Sequence, residues 1–561
     1  MEPMAIVNLA KRLVLLGLVA TSVASKQRPL QSHKDKAFHH GNPLTDEFGR
    51  YVTDLMDEWK VPGLSVAVID GEDVYSQGYG FARLPDTPVT PDTLFLGGST
   101  TKAHLAAALA HLISSGDYAA AFPQGWSTPI SSIIRDDFVL QDEWATAHIT
   151  LEDAVSHRTG MPRHDIAWAG TSEPNDTSNP HKTNKATVRN LRNLPPTAEP
   201  RVVFQYCNLM FTVLSHVVET VTASWLGDVL RSVIWQPLDM KSTFLSYSEA
   251  RKSENEIATG YFWDEDAEQY VAVEEDPVQF SSGAGAIITN AVDYSKWVRC
   301  LLYETEPFSA ATHREIKTAR MLAIPNPSPG WGVSSYGLGW QVTTFHGAAV
   351  YQHNGGTQNF GTNVFWMPEI KFGVVAFANT AGTGNIIEEI LTQKLVEDRL
   401  GIPPEDRPDN GSHEQRRQIE QAKRDFDNAT NILYPGHATD SPSSKVDYEL
   451  LAGTYRDAGY GTYSFKVEKL PITGFKGSQG QQRLVALRDD LLIPMRLVLQ
   501  HVVGDYWVAY LLPVLGSSMT RTFYAVKFII GVDGKPAAFE LTWREATDRL
   551  SATKTRFERV H

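Results

Sequence analysis

The sequence predicts an α+β domain followed by a small all-β barrel or sandwich, and three observations carry that prediction. Strand signals stand at both ends of residues 44–400 with apolar helices between them. A composition shift begins at Gly401, where Pro403-Pro404 and Pro408-Asp-Asn-Gly411 interrupt regular structure. From about residue 445 onward only short alternating strands recur. A chain of 561 residues, 42% apolar and 21% charged, has the material for two globular domains and a leader.

The first residues read as a secretion signal. Lys11 and Arg12 precede the apolar run Leu13–Ala20, and Val23-Ala24-Ser25 offers small residues for cleavage. Residues 1–25 are therefore expected to be a signal peptide and the protein to be secreted. The sequons at Asn175, Asn410 and Asn428 fit export as glycosylation sites. No other window is apolar over a membrane-length stretch, so stable membrane insertion is not expected. The formal charge of -14, from 65 acidic and 51 basic residues, argues against a nucleic-acid partner.

Residues 44–59 have Phe48, Val52, Leu55, Met56 and Trp59 at helical spacing. Two strands follow, Leu64–Ile69 and Val74–Phe81, joined by the turn-forming Asp70-Gly71. Ser99–Ile113 is nearly all apolar apart from Lys102, His104 and His111, which predicts a buried helix. Further helices are expected at 209–223 and 291–303, with a polar surface loop at Thr171–Lys185. Strands at 337–345, 348–353, 361–366 and 372–378 and a helix at 385–399 complete a domain spanning 26–400. A charged helix at 413–427 and a linker at Thr439–Ser444 fill 401–444. Strands near 452–456, 462–468, 483–488, 491–498, 506–511, 523–531 and 537–543 build the domain 445–561.

Three segments could carry chemistry. In Ser99-Thr-Thr-Lys102, positions i and i+3 at a helix start share a face, so a lysine amine reaches the serine oxygen. A serine needs such a base to become a nucleophile, and burial lowers a lysine's pKa towards base work. The spacing alone is weak, because Ser551-Ala-Thr-Lys554 repeats it without a helix. Gly97-Gly98 and the buried helix set Ser99 apart. Tyr206-Cys-Asn208 offers a phenol for proton relay and an amide for the substrate; read alone, Tyr206 caps the apolar helix after it. His353-Asn-Gly355-Gly356 offers glycines that let backbone approach a ligand, with an N–H for an oxyanion. His39-His-Gly41 and Lys371-Phe-Gly373 share that last pattern.

Taken in order, Ser-x-x-Lys, Tyr-x-Asn and His-x-Gly resemble the β-lactamase and penicillin-binding-protein superfamily, in its class C-like branch of esterases, D-amino-acid peptidases and acyltransferases. Val61–Ala67, Gly78–Ala82, Val89–Phe95, Ser156–Pro162, Ser282–Gly285 and Tyr336–Trp340 read like that family, so the likeness covers about 44–400. Leu451–Tyr455 and the strands after it are similar to a lipocalin-like barrel module.

The resemblance implies a β-lactamase/transpeptidase-like fold: an antiparallel sheet with flanking helices and a helical subdomain. It assigns Ser99 as acylated nucleophile, Lys102 as its base and Tyr206 as proton relay. Asn208 would hold the acyl side of the substrate, His353 would take the third-motif place beside Gly355, and the N–H groups of Ser99 and Gly356 would form the oxyanion hole. Lactamases usually carry Lys where this chain has His353; a His is mostly neutral at pH 7. An ester or neutral amide is therefore the expected substrate, with an esterase-like hydrolase foremost. An acyltransferase, a β-lactamase or D-specific peptidase, and an inactive binding protein are the alternatives. The partner is a small acyl substrate, and the chemistry calls for no metal or organic cofactor. Cys207 and Cys300 are expected to be buried residues rather than a bridge or metal ligands.

Overall fold

The computed structural model describes residues 41–168, 180–265, 267–273, 277–408, 411–437, 447–470, 475, 480–515, 521–544 and 552–560. The expected signal peptide, Asn175, Asn410 and the linker at 439–444 lie outside the described residues.

A nine-stranded antiparallel sheet forms the centre of the first domain. Gly63–Asp70 pairs on one side with Asp73–Arg83 and on the other with Phe372–Ala378, so the two ends of the domain meet in one sheet. Beyond Phe372–Ala378 come Gly361–Met367, Ala348–Gly356 and Gln341–Phe345 in turn. Gly63–Asp70 is buried along almost its whole length because both faces of the sheet are covered. Val66 and Val68 pack with Phe48, Val52, Ile387 and Leu391 of the helices Asp46–Trp59 and Thr383–Leu400. Ala67 and Ile69, one residue out of phase, face the helical side with Leu105, Trp297 and Val298. This antiparallel sheet with helices on both faces is the arrangement that the resemblance implies.

At the heart of the helical side lies Thr101–Ser115, an alanine-rich segment of strong helix formers that ends at Gly116 with φ of 81°. Asn208–Thr222 and Ala291–Tyr303 are buried apolar helices, close to their sequence expectations. One expectation fails in part. The polar stretch read as a loop to Lys185 becomes a helix at Pro180–Asn190, with proline at the first helical position, where its missing N–H costs nothing. Cys207 and Cys300 are buried and form no disulfide.

Eight strands from Gly453–Asp457 to Ala552–Arg559 close into a barrel, the first pairing with the last through Tyr455 opposite Arg559. Aromatic rings fill it: Phe539 stacks on Phe557 at 4.6 Å, and Tyr455 meets Phe539 at 5.3 Å. The last strand escaped the sequence reading because Lys554, Arg556 and Glu558 occupy its outward positions while Phe557 faces in. The helix Ser412–Asp427 and the turn after it lie against the barrel wall through Phe426, Ala429 and Leu433. Asn428 is exposed between them. No single helix among the described residues is long and apolar enough to cross a membrane.

The barrel docks directly beside the helical side. Tyr460 Oη lies 2.7 Å from His164 Nδ1, Asn190 donates to the Gly459 carbonyl at 2.8 Å, and Leu492 N–H donates to the Trp168 carbonyl at 3.0 Å. The segment 491–494, expected to begin a strand, instead runs toward the first domain, and the strand starts at Met495.

Candidate active site

Ser99 sits in a 3-10 turn, Gly98–Thr100, immediately before the helix Thr101–Ser115. Thr100 and Thr101 tie this turn down by donating to the carbonyls of Gly97 and Gly98 at 2.8 and 2.7 Å. Gly98 adopts φ of 51°, and a Cβ there would stand 2.8 Å from the Gly356 nitrogen. The absence of that Cβ lets the turn and the end of the strand Ala348–Gly356 touch.

Lys102, one turn on, is fully buried with Nζ 3.0 Å from Ser99 Oγ. It also donates to the Ala284 carbonyl at 2.5 Å. Burial, with the Arg163 charge in support, holds its pKa well below the ordinary lysine value. Tyr206 enters from just before the helix Asn208–Thr222, its hydroxyl 2.9 Å from Ser99 Oγ. Burial pushes this phenol up to about 12. The geometry therefore sets a protonated phenol and a lysine amine on the same serine oxygen: Tyr206 Oη and Lys102 Nζ both donate to Ser99 Oγ.

His157 lies within the segment Ser156–Pro162, and its ring is 4.2 Å from that of Tyr206. Its Nδ1 accepts the Cys207 N–H at 3.0 Å, fixing the peptide next to Tyr206. Burial lowers its pKa well below the usual value, so it stays neutral.

His353 comes within 6.3 Å of the Tyr206 ring, centre to centre. Its Nδ1–H donates to the Asn354 carbonyl at 2.6 Å, leaving Nε2 to accept from the Tyr336 hydroxyl at 2.9 Å. Burial lowers its pKa to about 3. Tyr336 was missed as a site residue because nothing in its glycine-rich surroundings marks it as a partner for a distant histidine.

A cavity of about 140 Å³ opens at Ser99. Asn208, Gly285 and Gly356 line its first-domain wall; Asn208 Nδ2 is held by Asp165 Oδ1 at 3.0 Å. Asp165 also pairs with Arg163 at 2.7 Å, and the Arg163 guanidinium lies 5.0 Å from the Tyr206 ring centre. The opposite wall is apolar: Ile166 and Trp168, then Leu491, Leu492, Ile493 and Met495 from the barrel domain. Lys102, Tyr206, His353 and Gly355 sit behind this lining rather than in it. Among the described residues no group of three His, Cys, Asp or Glu could hold a metal ion.

A family model described as Beta-lactamase matches residues 48–396. The chain belongs to the β-lactamase family. Its members' serine-hydrolase chemistry agrees with the cluster of hydroxyl, amine and phenol at Ser99, and the chain is an enzyme of that type. Likeness to an unguisins hydrolase of Aspergillus campestris reaches 37% identity over 507 residues, 90% of each chain. A second unguisins hydrolase, from Aspergillus violaceofuscus, is 34% identical and covers 89% of this chain and 88% of its own. Among solved structures, the octameric penicillin-binding protein homologue from Pyrococcus abyssi superposes with a TM-score of 0.56 at 19% identity. That superposition covers 91% of this chain and 99% of the other, and it supports the fold.

Proposed function

We propose that this β-lactamase-family enzyme hydrolyses an amide or ester through an acyl-enzyme on Ser99, with an unguisin as the first substrate to test. The observation that supports this reading is the placement of Ser99 Oγ between Lys102 Nζ at 3.0 Å and Tyr206 Oη at 2.9 Å.

In this reading neutral Lys102 takes the hydroxyl proton as Ser99 Oγ attacks the carbonyl carbon. The negative charge on the carbonyl oxygen rests on the N–H groups of Ser99 and Gly356. Collapse of the tetrahedral centre breaks the carbonyl's bond to its leaving group. Tyr206 gives its proton to that group and regains one from the Lys102 ammonium. Water then repeats the sequence in reverse, passing its proton to the same pair and freeing Ser99.

A protonated phenol at the nucleophile suits an amine leaving group, which cannot depart without a proton. Ester cleavage by the same steps is the second reading. The uncharged His353 at the third-motif place suits an ester as well as a neutral amide. The apolar barrel-domain wall facing Ser99 favours an apolar acyl group. Export through residues 1–25 and glycosylation at Asn175, Asn410 and Asn428 belong to the same proposal.

Incubation of an unguisin with the purified enzyme, followed by mass spectrometry, tests the reading. One water added per molecule by the wild type and none by Ser99→Ala is the expected result. Equal turnover by both would refute it.

A further inference from the structure

The strand Ala348–Gly356 ends beside Ser99 in two glycines. Gly355 has no room for a side chain, since a Cβ would lie 2.1 Å from the Gly97 carbonyl oxygen. Two glycines in succession are conformationally loose, so the direction of the peptide between them needs fixing from outside.

A trans peptide points its C=O and N–H to opposite sides. The Gly355 carbonyl accepts from Asn385 Nδ2 at 2.7 Å, on the side where Gly355 stands opposite Thr362 in the ladder. The Gly356 N–H of that same peptide is thereby turned the other way, towards the turn at Gly98 and Ser99. The side chain of Asn385 is oriented by its own neighbours. Gly382 N–H donates to its Oδ1 at 3.3 Å, and its Nδ2 also reaches Glu388 Oε2 at 3.2 Å. Burial raises the pKa of the Glu388 carboxyl beside this amide well above its usual range. The start of the helix Thr383–Leu400 presses close here: a Cβ on Gly361 would be 3.1 Å from Asn385 Nδ2.

We infer that Asn385 is a positioning residue that aims the Gly356 N–H at the oxygen of the carbonyl reacting with Ser99. This rests on the acyl-enzyme reading. Asn385 touches no reacting atom; it acts through the Gly355–Gly356 peptide, assisted by the ladder partner Thr362.

A fluorophosphonate tests it, because its phosphoryl oxygen takes the place of the carbonyl oxygen when Ser99 displaces fluoride. The maximal labelling rate, the half-saturating concentration and the melting temperature are measured for wild type, Asn385→Ala and Asn385→Asp. Aspartate keeps the size of the side chain but presents an oxygen to the Gly355 carbonyl, and it serves if the alanine variant fails to fold. The expected result is a fall of about tenfold in the maximal rate, with half-saturation within twofold and the melting temperature nearly unchanged. A folded variant that labels at the wild-type maximal rate would overturn the inference, as would a loss confined to half-saturation. Failure of the wild type itself to label would instead count against the acyl-enzyme reading.

Discussion

The hydroxyl of Tyr206 stands 2.9 Å from Ser99 Oγ across a sequence separation of 107 residues, and His157 braces it from behind. Three separate pieces of chain meet around Tyr206: the turn before one buried helix, the residues leading into another, and the loop that bears His157. Each is held by packing that has nothing to do with chemistry, so the proton arrangement at Ser99 is a property of the folded core.

Removing either proton partner should slow the chemical step while leaving the fold in place. Tyr206→Phe deletes one hydroxyl from a buried ring, and Lys102→Ala deletes the proposed base. Each is expected to lower kcat by at least ~100-fold, with Tyr206→Phe keeping a near-normal melting temperature. Steady-state rates beside thermal unfolding curves would check this.

The pH profile should have an acid limb set by Lys102. A base works only when unprotonated, and burial has lowered this amine's pKa, so the working form exists above that lowered value and is lost as pH falls through it. Activity is therefore expected to persist at neutral pH, far below the range where an ordinary lysine loses its proton. A rate that rises only as pH approaches 10 would contradict a neutral Lys102.

Stability should fall on the acid side for a separate reason. Burial holds His104 and His353 near 3 and His164 near 4, against an ordinary value of 6.5. Their folded pKa values are depressed, so the unfolded chain takes up protons first as pH drops. The stability they contribute is whole above about 6.5 and drains away towards pH 3–4, by about 1.4 kcal/mol per pH unit for each histidine. Chemical denaturation at pH 7, 5.5 and 4.5 would follow it, and His164→Gln should reduce the slope.

The barrel domain should govern which acyl groups fit. Leu492→Asp or Ile493→Asp places a charge on the apolar wall without touching Ser99. KM for an ester with an apolar acyl chain is expected to rise about tenfold or more, while labelling of Ser99 by a small fluorophosphonate continues. Unchanged KM values in both variants would detach the barrel from substrate selection.

Much of this was legible in the sequence, and what was not has a common cause. The helix Ala291–Tyr303 and the strand Phe372–Ala378 fell where hydrophobic periodicity put them, because burial on a fixed face writes itself into residue spacing. Ser99, Lys102, Tyr206 and Gly356 were readable as short patterns. Arg163, Tyr336, Asn385 and the wall at 491–495 were not. Their roles come from meeting a residue far along the chain, as Tyr336 meets His353 or Leu492 meets Trp168, and no local spacing encodes such a meeting. The charged last strand was hidden differently: only Thr555 and Phe557 among its described side chains are buried, so its apolar signal is thin.

The proposed mechanism requires that Ser99 become acylated. Treating the intact protein with a fluorophosphonate and mapping the adduct by peptide mass spectrometry tests it most directly. One adduct per chain, on Ser99, is expected for the wild type and none for Lys102→Ala. An adduct on another residue, or a folded wild type that takes none, would contradict it.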